Sequence, residues 1–480
     1  MLFNSYEYIL AFLPISIIVY FLLNKQKMIF AGKIWLVFTS LFFYGWWNFK
    51  YVPLILGSIL FNYTIGVILA KRTYSNSKLI LIFGISCNVV LLGIFKYVDF
   101  FISNIKTLSN ANIELIHIVL PLGISFFTFT QIAYLVDAFK GKAKDYSIWN
   151  YSLFVTFYPH LLAGPIIHHS EMMPQFDRIK NKILNYRFLS AGLFLFAIGL
   201  FKKVIIADWF ADVANKGYSN VHALDFCEAW ITSLSYSIQL YFDFSGYTDM
   251  ALGSALMFNI QLPLNFNSPY RAQNIQDFWR RWHITLSRFL RDYIYIPLGG
   301  NRATDLRILA NFMATFLIGG IWHGAGWTFV FWGFLHGIAM VIHRLWKKTE
   351  ISMPKIVAWF ITFNFVNFAW IFFRSNNFNE ALSLIKAMIG LNGIVLPTHF
   401  DKVLGFLGRY GVKFGTVDWN IRIIVMILIC LSISILFKNS NKMVEDFKPS
   451  FYNSLITSCL LFICLFSMMA IKSEFIYFQF

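Results

Sequence analysis

The chain has 480 residues, of which 58% are hydrophobic and only 13% are charged, and its formal net charge is +17. Soluble domains carry about a quarter charged residues, so this composition excludes an ordinary soluble enzyme, and its 55 Phe residues exclude a disordered chain. The Lys and Arg residues lie between apolar runs and form no dense tail, which favours a membrane protein with basic cytoplasmic loops over a nucleic-acid binder. We therefore expect an integral membrane protein that contacts membrane lipid and no nucleic acid.

About twelve apolar runs approach the length of about 20 residues that a spanning helix requires. They predict spans near residues 6–23, 31–48, 51–70, 79–95, 115–137, 189–207, 228–245, 307–322, 327–346, 356–373, 421–437 and 454–471. The first run has no basic segment before it and is followed by lysines, so we interpret it as a spanning helix and not as a signal peptide. No run alternates as a strand does, so we expect an all-α polytopic fold, in one domain over residues 1–480, and no β-barrel.

Basic residues between the spans predict how the chain is oriented, because they collect on the cytoplasmic side. The lysines within residues 25–33 place the first loop inside, so we expect both termini to be extracytoplasmic. The apolar segment 148–167 contains Pro159 and His160, is interrupted by Pro and Gly, and is followed by basic residues. We expect it to be re-entrant, and since irregular backbone at membrane depth needs surrounding protein or water, it points to a cavity.

Three polar residues, Asp243, Ser245 and Asp249, close the apolar run at 228–245. Two interpretations stay open for them: a helix end with its N-cap, or the lining of a pore. Elsewhere, the adjacent histidines His168 and His169 would point in different directions on a helix, so we expect no metal site.

The densest polar cluster of the chain runs from Asp277 to Arg302. Read as one helix, it has an apolar stripe at spacings of three and four residues, made of Trp279, Trp282, Leu286 and Phe289. Arg280 and Arg281 lie off this stripe. The cluster is either an amphipathic helix at the cytoplasmic interface or a docking surface for an anionic acyl donor, and spacing alone does not separate the two.

The second cluster places His323 after Trp322 and among four glycines. A helix from Arg307 to His323 would be about 24 Å long at 1.5 Å per residue, which is less than the ~30 Å hydrocarbon core. His323 is therefore expected inside the bilayer, where an ionisable residue indicates a functional site, although a histidine that hydrogen-bonds across helices for packing would look the same. A neutral imidazole could accept the proton of a hydroxyl that attacks a thioester.

At these clusters the sequence resembles the membrane-bound O-acyltransferase family, and most closely its alginate O-acetylase (AlgI-like) branch. The runs that carry the resemblance are PLGISF at 121–126 with YLVD at 134–137, PHLLAGPI at 159–166, FDFSGYTD at 242–249, FWRRWH at 278–283 with PLGGN at 297–301, IWHG at 321–324, and FIYFQF at 475–480. The resemblance implies a ring of tilted transmembrane helices, about 12 crossings with re-entrant and interfacial helices, in which a cytosolic tunnel and an outer funnel meet.

The family's near-invariant histidine falls on His323 and its second histidine on His283, so the resemblance implies that these two are catalytic. The residues expected to line the substrate tunnel or to bind the donor are Trp322, Arg280, Arg281, Trp282, Asp243, Ser245, Asp249, Pro159 and His160. The implied co-substrate is an acyl thioester, either acetyl-CoA or an acyl carrier, with no bound cofactor.

The resemblance implies an O-acyltransferase of the bacterial cytoplasmic (inner) membrane. It would pass an acetyl group from a cytosolic donor towards an extracytoplasmic acceptor. An esterase-like or acyltransferase partner protein would then place that group on a cell-envelope polysaccharide, which is alginate, peptidoglycan or cellulose. The D-alanyl transferase (DltB-like) branch for teichoic acids shares both histidine motifs and is the nearest competitor. A transporter or flippase, and a purely structural membrane scaffold, are the rivals from other classes.

Overall fold

The computed structural model describes residues 1–71, 76–109, 113–143, 147–162, 164–417 and 419–469, so the FIYFQF run lies outside the described residues. Helices dominate this part of the chain. In chain order they are α1 (Glu7–Lys25), α2 (Ile29–Gly45), α3 (Phe49–Lys71), α4 (Ser77–Ser109), α5 (Ile124–Phe139), α6 (Ile148–Thr156), α7 (Tyr158–Leu161), α8 (His169–Asp177), α9 (Tyr186–Ser219), α10 (Phe226–Met257), α11 (Ile275–Trp279), α12 (Ile284–Leu290), α13 (Asp305–His323), α14 (Trp327–Lys348), α15 (Lys355–Arg374), α16 (Phe378–Met388), α17 (Ile421–Leu436), α18 (Ser440–Glu445) and α19 (Phe451–Met468).

Eight of these helices are long and apolar enough to cross a membrane, namely α1, α3, α4, α9, α13, α14, α15 and α19. Three shorter apolar helices, α2, α5 and α17, match further predicted spans. Each of the predicted runs overlaps a helix, which confirms the all-α polytopic fold. The orientation of the termini stays a prediction.

Two predicted boundaries were wrong. The run at 115–137 becomes helical only at Ile124, because Gly123 adopts a left-handed conformation with φ +70° and a Cβ there would lie 2.9 Å from the Leu161 carbonyl oxygen. The run at 228–245 continues as α10 to Met257. The DFSGYTD residues therefore lie inside a helix, and the interpretation of this motif as a helix end was wrong.

The segment 148–167 is broken, as its Pro and Gly residues predict. Helix α6 ends at Thr156, Phe157 has a non-helical ψ of 106°, and the single turn α7 carries Pro159 in its first turn. The buried Oγ of Ser40 accepts a hydrogen bond from the backbone N–H of Tyr158 at 3.1 Å, so the break is held by protein groups. Its re-entrant path through a bilayer stays a prediction.

The chain forms two compact units, and the expectation of one domain stays a prediction. The first unit comprises, among the described residues, those of 1–201, 245–265 and 440–469. Its core includes α9 packed against α19 and a group of buried aromatic rings in which the Tyr8 and Ser254 hydroxyls are 2.7 Å apart.

The second unit comprises residues 202–244 and 266–439. Its most extensive helix–helix contact joins α13 to α14, which form a hairpin through residues 324–326. Between α16 and α17 lie two short parallel strands, β1 (Ile394–Pro397) and β2 (Val412–Gly415), with Ile394 opposite Val412. The sequence analysis expected no strand, and it missed these two because strands of four residues leave no clear alternating pattern.

Candidate functional site

His323 lies at the last residue of α13, at the turn into α14. Gly324 continues the chain in an extended conformation, and α14 begins three residues later at Trp327. The two helices approach closely at Gly320 and Gly333. A Cβ added to either glycine would lie 3.1 Å from the Cα of the other. The His323 side chain is 5% exposed, so tight helix packing surrounds the ring.

His283 lies in the second unit with His323, and the two imidazole centroids are 6.4 Å apart. Its side chain is fully buried, and its backbone is left-handed, with φ +43°. A left-handed non-glycine residue costs about 1–3 kcal/mol and is found preferentially at functional sites. Burial lowers the pKa of His283, which lies outside the eight long apolar helices, to about 3, so the ring is neutral.

The Trp322 ring contacts both histidines. Its centroid is 4.9 Å from that of His323 and 6.1 Å from that of His283. The Phe244 ring also packs against His283, in an edge-to-face arrangement with ring centroids 4.9 Å apart. The structure therefore brings His283, Trp322 and His323 together, and their catalytic role stays a prediction.

The stretch from Asp277 to Phe289 is not one helix, so that prediction was wrong. Helix α11 ends at Trp279, α12 begins at Ile284, and the turn between them ends at the left-handed His283. All four residues of the predicted stripe are nevertheless buried, namely Trp279, Trp282, Leu286 and Phe289. His283 is the left-handed residue at this break, and its side chain is fully buried together with the stripe.

The residues beside this turn have different roles. Trp282 is buried and packs against Phe278, 5.7 Å away, and Trp370, 5.0 Å away. Arg281 is partly exposed and pairs with the Asp277 carboxylate at 2.9 Å, whereas Arg280 is exposed. The arginines therefore present positive charge at the surface of the unit, while Trp282 belongs to its core.

Asp243 is buried on α10 and is paired with a cation that sequence reasoning missed. Lys203 Nζ lies 2.6 Å from Asp243 and 2.7 Å from Asp208, and all three side chains are at least nine-tenths buried. Lys203 belongs to a π-helical turn, Lys202–Ala207, within α9. A lysine inside an apolar run was the available signal, since buried charges require partners.

The remaining predicted residues, Pro159, His160, Ser245 and Asp249, belong to the first unit. All four are buried. Asp249 lies where α10 crosses α9, since a Cβ on Gly199 would be 2.9 Å from the Asp249 Cβ. Their proposed place in a substrate tunnel stays a prediction.

Sequence reasoning also missed two residues of α14. His336 is fully buried, and its Nδ1 accepts a hydrogen bond from Trp279 Nε1 at 3.2 Å. The Trp332 ring packs against both His323 and His336, with centroid distances of 5.0 Å and 4.8 Å. Trp332 and His336 are four residues apart on α14, which puts them on one face of the helix, and this spacing could have been noticed.

Comparisons with known proteins show which proteins this chain resembles. The sequence pattern of the membrane-bound O-acyltransferase family matches residues 138–380, which include every histidine and arginine named above. The chain is 48% identical to a peptidoglycan O-acetyltransferase of Helicobacter pylori, over 100% of this chain and 98% of that protein. It is 36% identical to a probable alginate O-acetylase AlgI of Pseudomonas aeruginosa, over 81% of this chain and 75% of that protein. A teichoic acid D-alanyltransferase of Bacillus subtilis is 29% identical over 54% of this chain and 70% of its own length.

Proposed function

The chain belongs to the membrane-bound O-acyltransferase family and is an O-acyltransferase of a membrane, and from that premise we propose that it moves acetyl groups from a cytosolic thioester towards peptidoglycan. The proximity of His283 and His323 carries the proposal. Two buried imidazoles with ring centroids 6.4 Å apart place a base and a second polar ring where one acyl group can contact both.

In this proposal His323 is the general base. It takes the proton of the attacking hydroxyl while the thioester carbon is attacked, a type of assistance worth about 10²–10⁴-fold in rate. His283 positions the thioester, because a neutral imidazole provides one donor and one acceptor nitrogen. Trp322 packs against both rings and keeps them in place.

The donor reaches the site from the cytosolic side. Coenzyme A phosphates and carrier proteins are both acidic, and the positive charge of Arg280 and Arg281 would attract either one. The acetyl group then passes to an extracytoplasmic partner protein of the esterase or acyltransferase type, which places it on the glycan. The chain is a multi-pass protein of the cytoplasmic membrane with both termini outside.

Peptidoglycan is preferred as the acceptor over alginate and cellulose because the Helicobacter pylori relative is similar along the whole chain. The D-alanyl transfer alternative is weaker, since the Bacillus subtilis D-alanyltransferase matches 54% of this chain at 29% identity.

The test is complementation of a strain of the source organism from which the gene has been deleted. Peptidoglycan is purified from strains that carry the wild type, His323→Ala or His283→Ala, and esters are released with mild alkali. Of these three strains, only the wild type is expected to release acetate. The matched control His222→Gln, at an exposed histidine of the same unit, should release the wild-type amount.

Three outcomes overturn parts of the proposal. If His323→Ala releases as much acetate as the wild type at a normal protein level, His323 is not the general base. Alkali-released D-alanine in place of acetate selects the D-alanyl alternative. A solute that crosses proteoliposomes without any acyl donor selects a transporter.

A further inference from the structure

Trp332 carries a buried hydrogen-bond donor, its indole N–H, and its ring packs against His323. Trp332 is 1% exposed, and its ring meets the His323 ring edge to face, with centroids 5.0 Å apart and planes at 84°. Within the described residues its Nε1 has no acceptor in hydrogen-bond range. A buried donor left unpaired costs about 1–3 kcal/mol, so an acceptor group that binds here gains the interaction without displacing a protein partner.

The Trp332 ring is held rigidly. His336 packs against it at 4.8 Å and Phe373 at 5.2 Å, and His336 is itself fixed by the hydrogen bond from Trp279 Nε1. The close approach of Gly333, the next residue along, to Gly320 locks α14 against the helix that ends in His323. Because the donor is already fixed, little reorganisation energy is required when negative charge develops next to it.

We propose that Trp332 Nε1–H donates a hydrogen bond to the carbonyl oxygen of the acyl thioester and stabilises the oxyanion of the tetrahedral intermediate. This role rests on the proposed acyl transfer. Tryptophan suits it because the indole N–H only donates and does not compete as a base or nucleophile. With ring centroids 5.0 Å apart, one acetyl group can touch both His323 and Trp332.

The step balances within the groups named. The acceptor hydroxyl oxygen attacks the carbonyl carbon, a C–O bond forms, and the hydroxyl proton moves to a His323 nitrogen. The carbonyl π electrons move onto oxygen, where Trp332 donates. When the intermediate collapses, the C–S bond breaks, and the leaving thiolate takes the proton from His323, so the imidazole is neutral again.

The test replaces the N–H while the ring stays. Trp332 is changed to Phe and, by amber suppression, to 3-benzothienylalanine, which has the size of tryptophan but sulfur in place of N–H. Both are expressed in the deletion strain, and the initial rate at which alkali-released acetate accumulates after induction is divided by the amount of protein. Removal of one oxyanion donor lowers kcat by about 10²–10³-fold, and we expect a loss of that size from both variants at an unchanged thermal midpoint.

Trp370→Phe is the matched control. Trp370 is also 1% exposed and stacks on Trp332 at 5.7 Å, but the proposal gives its N–H no part, so this variant should stay within about threefold of the wild type. A benzothienylalanine variant that retains a third of the wild-type rate overturns the role of Trp332 and leaves the acyl transfer intact. An equal loss in Trp370→Phe also overturns it, by showing a general packing effect. A wild type that deposits no acetate overturns the proposed function, and the inference with it.

Discussion

The Lys203 ammonium lies 2.6 Å from an oxygen of Asp243, and both side chains are almost completely buried in the second unit. Asp208 shares the same ammonium at 2.7 Å. Asp243 immediately precedes Phe244, whose ring contacts His283 at 4.9 Å. This ion cluster therefore fixes the part of α10 that touches the candidate catalytic pair.

Lys203→Met is expected to destabilise the protein strongly. The substitution leaves two buried carboxylates without their shared cation, and breaking a buried ion pair costs about 3–5 kcal/mol. The thermal midpoint of the protein in detergent should fall accordingly, and acetate deposition should fall with it.

The control for this prediction removes all three charges. Lys203→Met combined with Asp208→Asn and Asp243→Asn leaves no unpaired ion, and neutral replacements of buried ion pairs are often tolerated, so most of the lost stability should return. A single Lys203→Met variant as stable as the wild type would show that the cluster does not hold α10.

The sequence predicted the two histidines but not their separation. His323 was found because an ionisable residue in an apolar run is unusual, and His283 through the family resemblance. Their 6.4 Å spacing depends on the left-handed turn at His283, where a tertiary constraint overrides the helical pattern of the buried stripe. Lys203 and Trp332 were missed for a related reason: Asp243 lies on α10 and His323 on α13, so spacing along the chain carries no record of these two contacts.

The left-handed backbone at His283 predicts an order among substitutions. Asn tolerates a positive φ, whereas a β-branched residue such as Val is a steric outlier there. His283→Val should be less stable than His283→Asn by about 1–2 kcal/mol, measured as the difference in unfolding free energy in detergent. The same pair of changes at Thr285, in the regular part of α12, is the control and should show no such penalty for Val. Equal stability of the two His283 variants would contradict the prediction.

We expect His336 to stabilise the protein through the hydrogen bond that its Nδ1 accepts. His336→Phe keeps an aromatic ring but leaves the Trp279 N–H, which donates to His336 Nδ1 at 3.2 Å, without an acceptor, at a cost of about 1–3 kcal/mol. His336→Asn places an amide oxygen near the Nδ1 position and should be the more stable of the two, although it is smaller. The thermal midpoints decide this, and a Phe variant that equals the wild type would show that the hydrogen bond contributes nothing.

The crossing of α13 and α14 gives the sharpest contrast between two neighbouring glycines. A Cβ on Gly320 would lie 2.4 Å from the Phe329 carbonyl oxygen, which is backbone and cannot give way, whereas a Cβ on Gly319 would lie 3.3 Å from the end of the flexible Leu290 side chain. Gly320→Ala should therefore force the helices apart at a cost of about 1–3 kcal/mol. It should also lower acetate deposition, because His323 follows one turn later on the same helix. Gly319→Ala meets only a side chain that can move, and Ala in a helix gains about 0.5–1 kcal/mol over Gly, so its thermal midpoint should equal or exceed that of the wild type. If the two variants lose stability equally, the helix crossing does not position His323.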